Sequence, residues 1–213
     1  MIKTSLFKST LLILTILLWG IIQFANAASN NQKTLLVVGD SLSASYGLPE
    51  KTGWVDLLSN KLELSESNWS VANASISGET TSGAADRIEK LLNQYQPNVV
   101  LIELGGNDGL RGFPLKVTYR NLEKIIQLSQ QQNAKVIITG IHLPPNYGKK
   151  YEQLFYLNYT DLTSKYSLVM IPFILEGIAE HPELMQKDGI HPKENAQQMI
   201  LDNVWVYLNP LLK

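Results

Sequence analysis

Continuous Val/Ile/Leu-rich runs alternate along this chain with helix-period segments, and that alternation restricts the available folds more than any other feature. The runs are TLLVVGD (34–40), WSVANAS (69–75), NVVLIELGGND (98–108), AKVIITGIH (134–142) and LVMIPF (168–173). Because successive residues are apolar, most of these runs fit strands covered on both faces. Between them, Val55, Leu58 and Leu62 share one helix face. Ala85, Ile88, Leu92 and Tyr95 share a second, and Leu122, Ile125 and Ile126 a third. Ala196, Met199, Ile200, Val204 and Tyr207 mark the buried stripe of a final helix. The pattern predicts an α/β chain, a parallel sheet with right-handed crossovers and helices on both sides. No linker-like stretch or internal repeat divides the 213 residues, and 45% hydrophobic content supplies one core.

The first segment is set apart from the fold. Lys3 and Lys8 precede an apolar run from Leu11 to Ile22, and Ala25-Asn26-Ala27 has the small-x-small form of a signal-peptidase site. Cleavage after Ala27 is expected, leaving a single domain over 28–213. The competing reading is an uncleaved anchor, for which the apolar run is a little short. Export to the periplasm or beyond follows from the cleavage reading, with no membrane span kept afterwards. The net charge of −1 falls to −3 on loss of the two lysines. With no basic stripe, nucleic acid is not an expected partner. Cysteine is absent, which excludes disulfides, thiolate catalysis and Cys-ligated zinc.

In open α/β sheets, function gathers beyond the carboxyl ends of the strands. Gly39-Asp40-Ser41 follows the first strand, Ser75-Ile76-Ser77-Gly78 the second, and Gly105-Gly106-Asn107-Asp108 the third. His142 and LPPNYGKK follow the fourth, and DGIHP (188–192) precedes the last helix. A serine after a strand reads as a turn or helix cap, or as a nucleophile if a base lies within hydrogen-bond reach. The chain has three histidines. His181 reads as solvated, and His142 has no acid close in sequence to orient it. His191 has Asp188 three residues earlier, across Gly189, so a carboxylate can fix one ring nitrogen and leave the other as base. Pro192 reads as the first residue of the final helix, with His191 near its cap. A turn with a histidine cap accounts for DGIHP equally well. The Ser41 and Gly78 N–H groups and the Asn107 amide are candidate donors to an oxyanion, each also explicable as loop chemistry.

At these residues the chain resembles the SGNH, or GDSL, hydrolase family. GDSLS (39–43), NASISGET (73–80), ELGGNDGLRGF (103–113), LPPNYG (143–148) and DGIHP occur in order and span nearly all of the mature chain. The resemblance implies Ser41 as nucleophile, His191 as base and Asp188 as its orienting acid. It implies an oxyanion hole from Ser41, Gly78 and Asn107. It also implies a three-layer α/β/α sandwich with a five-stranded parallel sheet in the flavodoxin-like order 2-1-3-4-5. The expected substrate is an acyl ester or thioester, a lysophospholipid or fatty-acyl compound among them, cleaved without metal or cofactor by a monomer. Asp108, Leu110, Phe113, Leu143, Pro144 and Tyr147 are expected to border the acyl group. A sugar-ester deacetylase would use the same triad. Metal-assisted phosphoester hydrolysis by Asp40, Asp108, Asp188 and His191 is a rival chemistry, and a non-catalytic binding module a rival class. No Gly-x-Gly-x-x-Gly follows the first strand, which argues against a dinucleotide site.

Overall fold

The computed structural model describes residues 32–65 and 67–213; the expected signal segment lies outside them. Within the unit Lys33–Lys213, the strands are β1 (Lys33–Gly39), β2 (Trp69–Asn73), β3 (Val99–Glu103), β4 (Lys135–Thr139) and β5 (Val169–Ile171). They form one parallel sheet in the order β2-β1-β3-β4-β5. The helices are α1 (Trp54–Leu64), α2 (Thr81–Tyr95), the short α3 (Gly106–Leu110), α4 (Leu115–Gln131), α5 (Lys149–Tyr166) and α6 (Gln197–Leu208).

The unbroken apolar strands are explained by two cores. Leu35 and Val37 of β1 pack on one side with Trp54, Leu58, Ile200 and Val204 from α1 and α6. Leu36 and Val38 pack on the other with Ile88, Leu122, Ile126 and Tyr159 from α2, α4 and α5. Side chains alternate across a strand, so both positions of each pair must be apolar when both faces are covered. The expected α/β/α sandwich and strand order are what the structure shows.

Two local expectations need correction, and one helix had no expectation. Helix α5 does not stand out in the sequence, because its buried Phe155, Tyr159 and Leu162 share the helix with exposed Leu154 and Leu157. Apolar residues on two faces blur the stripe. In α6 the buried face is Ile200, Leu201, Val204 and Leu208, while Met199 is exposed and Tyr207 half-buried. Pro192 does not begin the last helix: it forms an antiparallel bridge with Met185, and the helical turns start at Glu194. His191 therefore sits in an irregular loop and not at a helix cap.

Candidate active site

Strand β1 ends where its backbone comes close to two side chains. A Cβ on Gly39 would lie 2.6 Å from Ser43 Oγ and 2.9 Å from Glu103 Oε2, so only glycine fits without displacing them. Beyond it the chain winds into a helical turn, with Ala44 N–H donating to Asp40 O at 2.9 Å and Tyr46 N–H to Ser41 O at 3.1 Å. The Asp40 carboxylate accepts from Leu42 N–H at 3.1 Å. Ser41 is thus a turn residue, yet its hydroxyl is engaged elsewhere: Oγ lies 2.8 Å from His191 Nε2, across 150 positions of sequence.

The loop before α6 builds the other half. Gly189 turns the chain at φ +68°. Asp188 Oδ1 accepts from Ile190 N–H at 3.0 Å and His191 N–H at 3.1 Å. Its Oδ2 lies 2.7 Å from His191 Nδ1. Partial burial alone would raise the Asp188 pKa. The imidazole and the two amides outweigh it and hold the carboxyl at about 2, so it is ionised at neutral pH. A carboxylate on Nδ1 selects the tautomer with the proton there, leaving the Nε2 lone pair toward the serine hydroxyl. The Tyr46 ring tilts against the imidazole with centroids 4.6 Å apart.

The turn after β2 is held to the end of β1 by Ile76 N–H, which donates to Gly39 O at 3.1 Å. Glu79 N–H donates to Ile76 O at 3.0 Å. Gly78 sits at the position of that turn requiring positive φ, here +78°. Arg111 Nη2 donates to Gly78 O at 3.2 Å and ties this turn to the end of α3. Neither the Ser41 nor the Gly78 N–H donates to another group among the described residues. Asn107 Nδ2 donates one hydrogen to Asp40 Oδ2 at 3.1 Å and keeps a second for use.

The expected substrate border needs revision at two positions. Asp108 is fully buried and accepts from Thr81 N–H at 2.9 Å, from the Thr81 hydroxyl and from Thr118 Oγ1 at 3.4 Å. It braces α3 against α2 and α4 and cannot line a groove. Leu143 is buried in the core, pressed against Gly109, where a Cβ would meet its side chain. Leu110, Phe113, Pro144 and Tyr147 are half-buried. Tyr147 OH donates to Leu110 O at 3.0 Å and Tyr151 OH to Phe113 O at 3.1 Å, so the two loops are joined. His142 does have an acid, Glu152 ten residues on, at 2.6 Å, and its ring stacks on Tyr156. The four groups of the metal-dependent alternative do not converge, since Asp108 faces the threonines. Among the described residues, no three His, Cys, Asp or Glu side chains are arranged to hold an ion.

Sequence reasoning missed Glu103 and its pairing with Asp40, an acid it had named only beside Ser41 and in the metal-dependent alternative. Glu103, fully buried at the end of β3, accepts from Ser43 Oγ at 2.8 Å and Asp40 N–H at 3.3 Å through Oε2. Its Oε1 is buried with no partner among the described residues. Burial, then the neighbouring Asp40 charge, pushes the Glu103 pKa well up. Burial raises Asp40 to about 6 against the pull of the Leu42 amide, His191, Asn107 and Ser41. Both folded values lie above the unfolded ones, so the native state holds the extra protons. The contribution of these two acids to stability is full below about pH 4 and falls as pH rises through the folded values, by at most about 1.4 kcal/mol per unit for each group. The urea midpoint is expected to drop between about pH 5 and 7, and Glu103→Gln to flatten that drop and raise the midpoint at about pH 7. An equal slope in parent and variant would show that Glu103 ionises at no cost.

A parallel α/β sheet with a hydroxyl, an imidazole and a carboxylate in line at its carboxyl edge is the architecture of a serine hydrolase. The chain belongs to the GDSL-like Lipase/Acylhydrolase family, whose profile matches residues 37–199. It is 46% identical to Esterase TesA of Pseudomonas aeruginosa over 180 residues, 84% of this chain and 90% of the relative. It is 43% identical to Thioesterase 1/protease 1/lysophospholipase L1 of Escherichia coli K12 over 179 residues, 84% of this chain and 85% of the relative. The psychrotrophic esterase EstA from Pseudoalteromonas sp., inhibited by monoethylphosphonate, superposes with a TM-score of 0.81 at 42% identity, covering 85% of this chain and 99% of that one.

Proposed function

We propose that this protein hydrolyses acyl esters and thioesters through an acyl-enzyme on Ser41, as an exported single domain of residues 28–213. The observation that carries the reading is the 2.8 Å contact between Ser41 Oγ and His191 Nε2, backed by Asp188 at 2.7 Å. His191 takes the hydroxyl proton as Oγ bonds to the acyl carbon. The carbonyl electrons move onto oxygen, which the Ser41 and Gly78 N–H groups and the free Asn107 N–H stabilise. The tetrahedral species collapses, His191 gives its proton to the departing alcohol or thiol, and water follows the same path to free the acid.

The names of the relatives point to esters, thioesters and lysophospholipids as the substrate class. Half-buried Leu110, Phe113, Pro144 and Tyr147 support an acyl-chain groove, and exposed Ile76, Tyr46 and Ile190 flank the nucleophile, turn and base segments. The signal layout supports export to the periplasm. No helix among the described residues is long and apolar enough to cross a membrane. A p-nitrophenyl ester series from acetyl to octanoyl tests the groove. Each methylene buried contributes about 0.8 kcal/mol, so kcat/KM is expected to rise about fourfold per carbon until the groove is filled. A preference for acetyl over octanoyl would instead favour a sugar-ester deacetylase with the same triad.

A further inference from the structure

The two buried carboxyls beneath the nucleophile have no part in the scheme above, and the geometry assigns one to Asp40. Glu103 Oε2 accepts two hydrogen bonds, from Ser43 Oγ and the Asp40 amide, while Oε1 is buried without a partner. The donors on Oε2 favour the charged form, but full burial and then the adjacent Asp40 carboxylate favour the neutral one, and the unpartnered Oε1 has no donor to hold a charge. A carboxylate there would leave a buried charge half-solvated. Asp40 is surrounded differently. Its oxygens accept from the Leu42 amide and from Asn107 Nδ2, donors suited to a carboxylate. The groups facing the pair are the His191 imidazole from the loop before α6 and the Tyr159 hydroxyl from α5, which donates to Leu104 O. No lysine or arginine forms an ion pair with either carboxyl among the described residues.

Accepting one hydrogen of Asn107 Nδ2 fixes the plane of that amide, so the remaining N–H is held in one direction. The same carboxylate sets a second negative charge near the imidazole, beside the hydrogen-bonded Asp188. We propose that Asp40, kept ionised beside a neutral Glu103, is a positioning residue that aims Asn107 at the oxyanion and supports the imidazolium during turnover. This rests on the acyl-enzyme reading given above.

The test uses Asp40→Asn, Glu103→Gln, Asn107→Ala and the Asp40→Asn/Asn107→Ala double variant, assayed on one p-nitrophenyl ester across pH. Asp40→Asn is expected to lower kcat about tenfold or more with KM nearly unchanged, the sign of an interaction made in the transition state. The acid limb of its kcat/KM profile is expected to move to lower pH and to follow a single ionisation, since one of two coupled groups is gone. A purely structural defect would lower the plateau and leave the limb in place. In the double variant the two losses are expected to fall well short of multiplying, because Asp40 acts through Asn107. Glu103→Gln is expected to stay within about threefold of the parent in kcat/KM, as the replacement of one neutral group by another.

An unshifted limb in Asp40→Asn, fully multiplicative losses, or a Glu103→Gln defect as large as that of Asp40→Asn would each overturn the proposal. If Asp40→Asn does not fold, infrared difference spectra of the parent against Glu103→Gln still decide. A protonated-acid carbonyl band lost in the variant is expected, and its absence from the parent at neutral pH would overturn the proposal. Ser41→Ala run in parallel separates the two readings. Full activity in Ser41→Ala removes the acyl-enzyme itself, whereas an inactive Ser41→Ala beside a normal Asp40→Asn removes only the role of Asp40.

Discussion

Replacing Ser41 by alanine is expected to lower kcat/KM for a p-nitrophenyl ester by about 10⁴- to 10⁶-fold while the fold stays intact. The residue is half-buried in a turn whose backbone bonds come from Asp40, Ser41, Ala44 and Tyr46 main-chain atoms, so removing Oγ takes away none of the bonds that hold the turn, only its contacts with His191 and the Asp40 carboxyl. Circular dichroism and urea unfolding should therefore match the parent within experimental error. A fluorophosphonate probe should label the parent with loss of fluoride and leave Ser41→Ala unlabelled. A variant that kept substantial activity, or took up the probe at another side chain, would refute the assignment of the nucleophile.

His191→Ala should fall by a comparable factor, for a different reason. Without Nε2 the serine hydroxyl keeps its proton at neutral pH, and a neutral hydroxyl is a weak nucleophile. If Ser41 and His191 act as a unit, as the acyl-enzyme reading requires, the double variant Ser41→Ala/His191→Ala is expected to be no worse than either single change. Multiplicative losses would mean that the two groups serve separate steps. Removing the imidazole also leaves Asp188 without its side-chain partner, though its two backbone donors remain. The Asp188 carboxyl should then titrate above about 2, moving toward the ordinary carboxylate range. Carbon NMR of labelled aspartate would follow that shift directly.

Much of this was legible in the sequence because the fold leaves few choices. Leu35 to Val38 must all be apolar when helices cover both faces of β1, and strand ends then name the only places where chemistry can gather. The order of the sheet came from family resemblance, not from periodicity. What stayed hidden was set by tertiary packing. Asp108 and Leu143 sit in segments that border the site, but one turns inward to the threonines and the other to Gly109. Nothing in their spacing distinguishes a lining side chain from a bracing one. His142 found its acid through a chain reversal that brings Glu152 back over the end of β4. Glu103 stood in the sequence only as the first residue of the ELGGNDGLRGF block, and its pairing with Ser43 and Asp40 joins the ends of two strands through atoms that no linear pattern records.

The contact between Ser41 and His191 joins the first strand's end to the loop before the final helix. A polypeptide still emerging from the ribosome carries its serine long before its histidine, and until the loop after Met185 is seated that serine is an ordinary alcohol. On the acyl-enzyme reading, the protein is therefore expected to be inert throughout its own synthesis. On that reading, esterase activity is expected to switch on only when the last part of the molecule docks, so turnover in a refolding experiment would report completion of the whole fold.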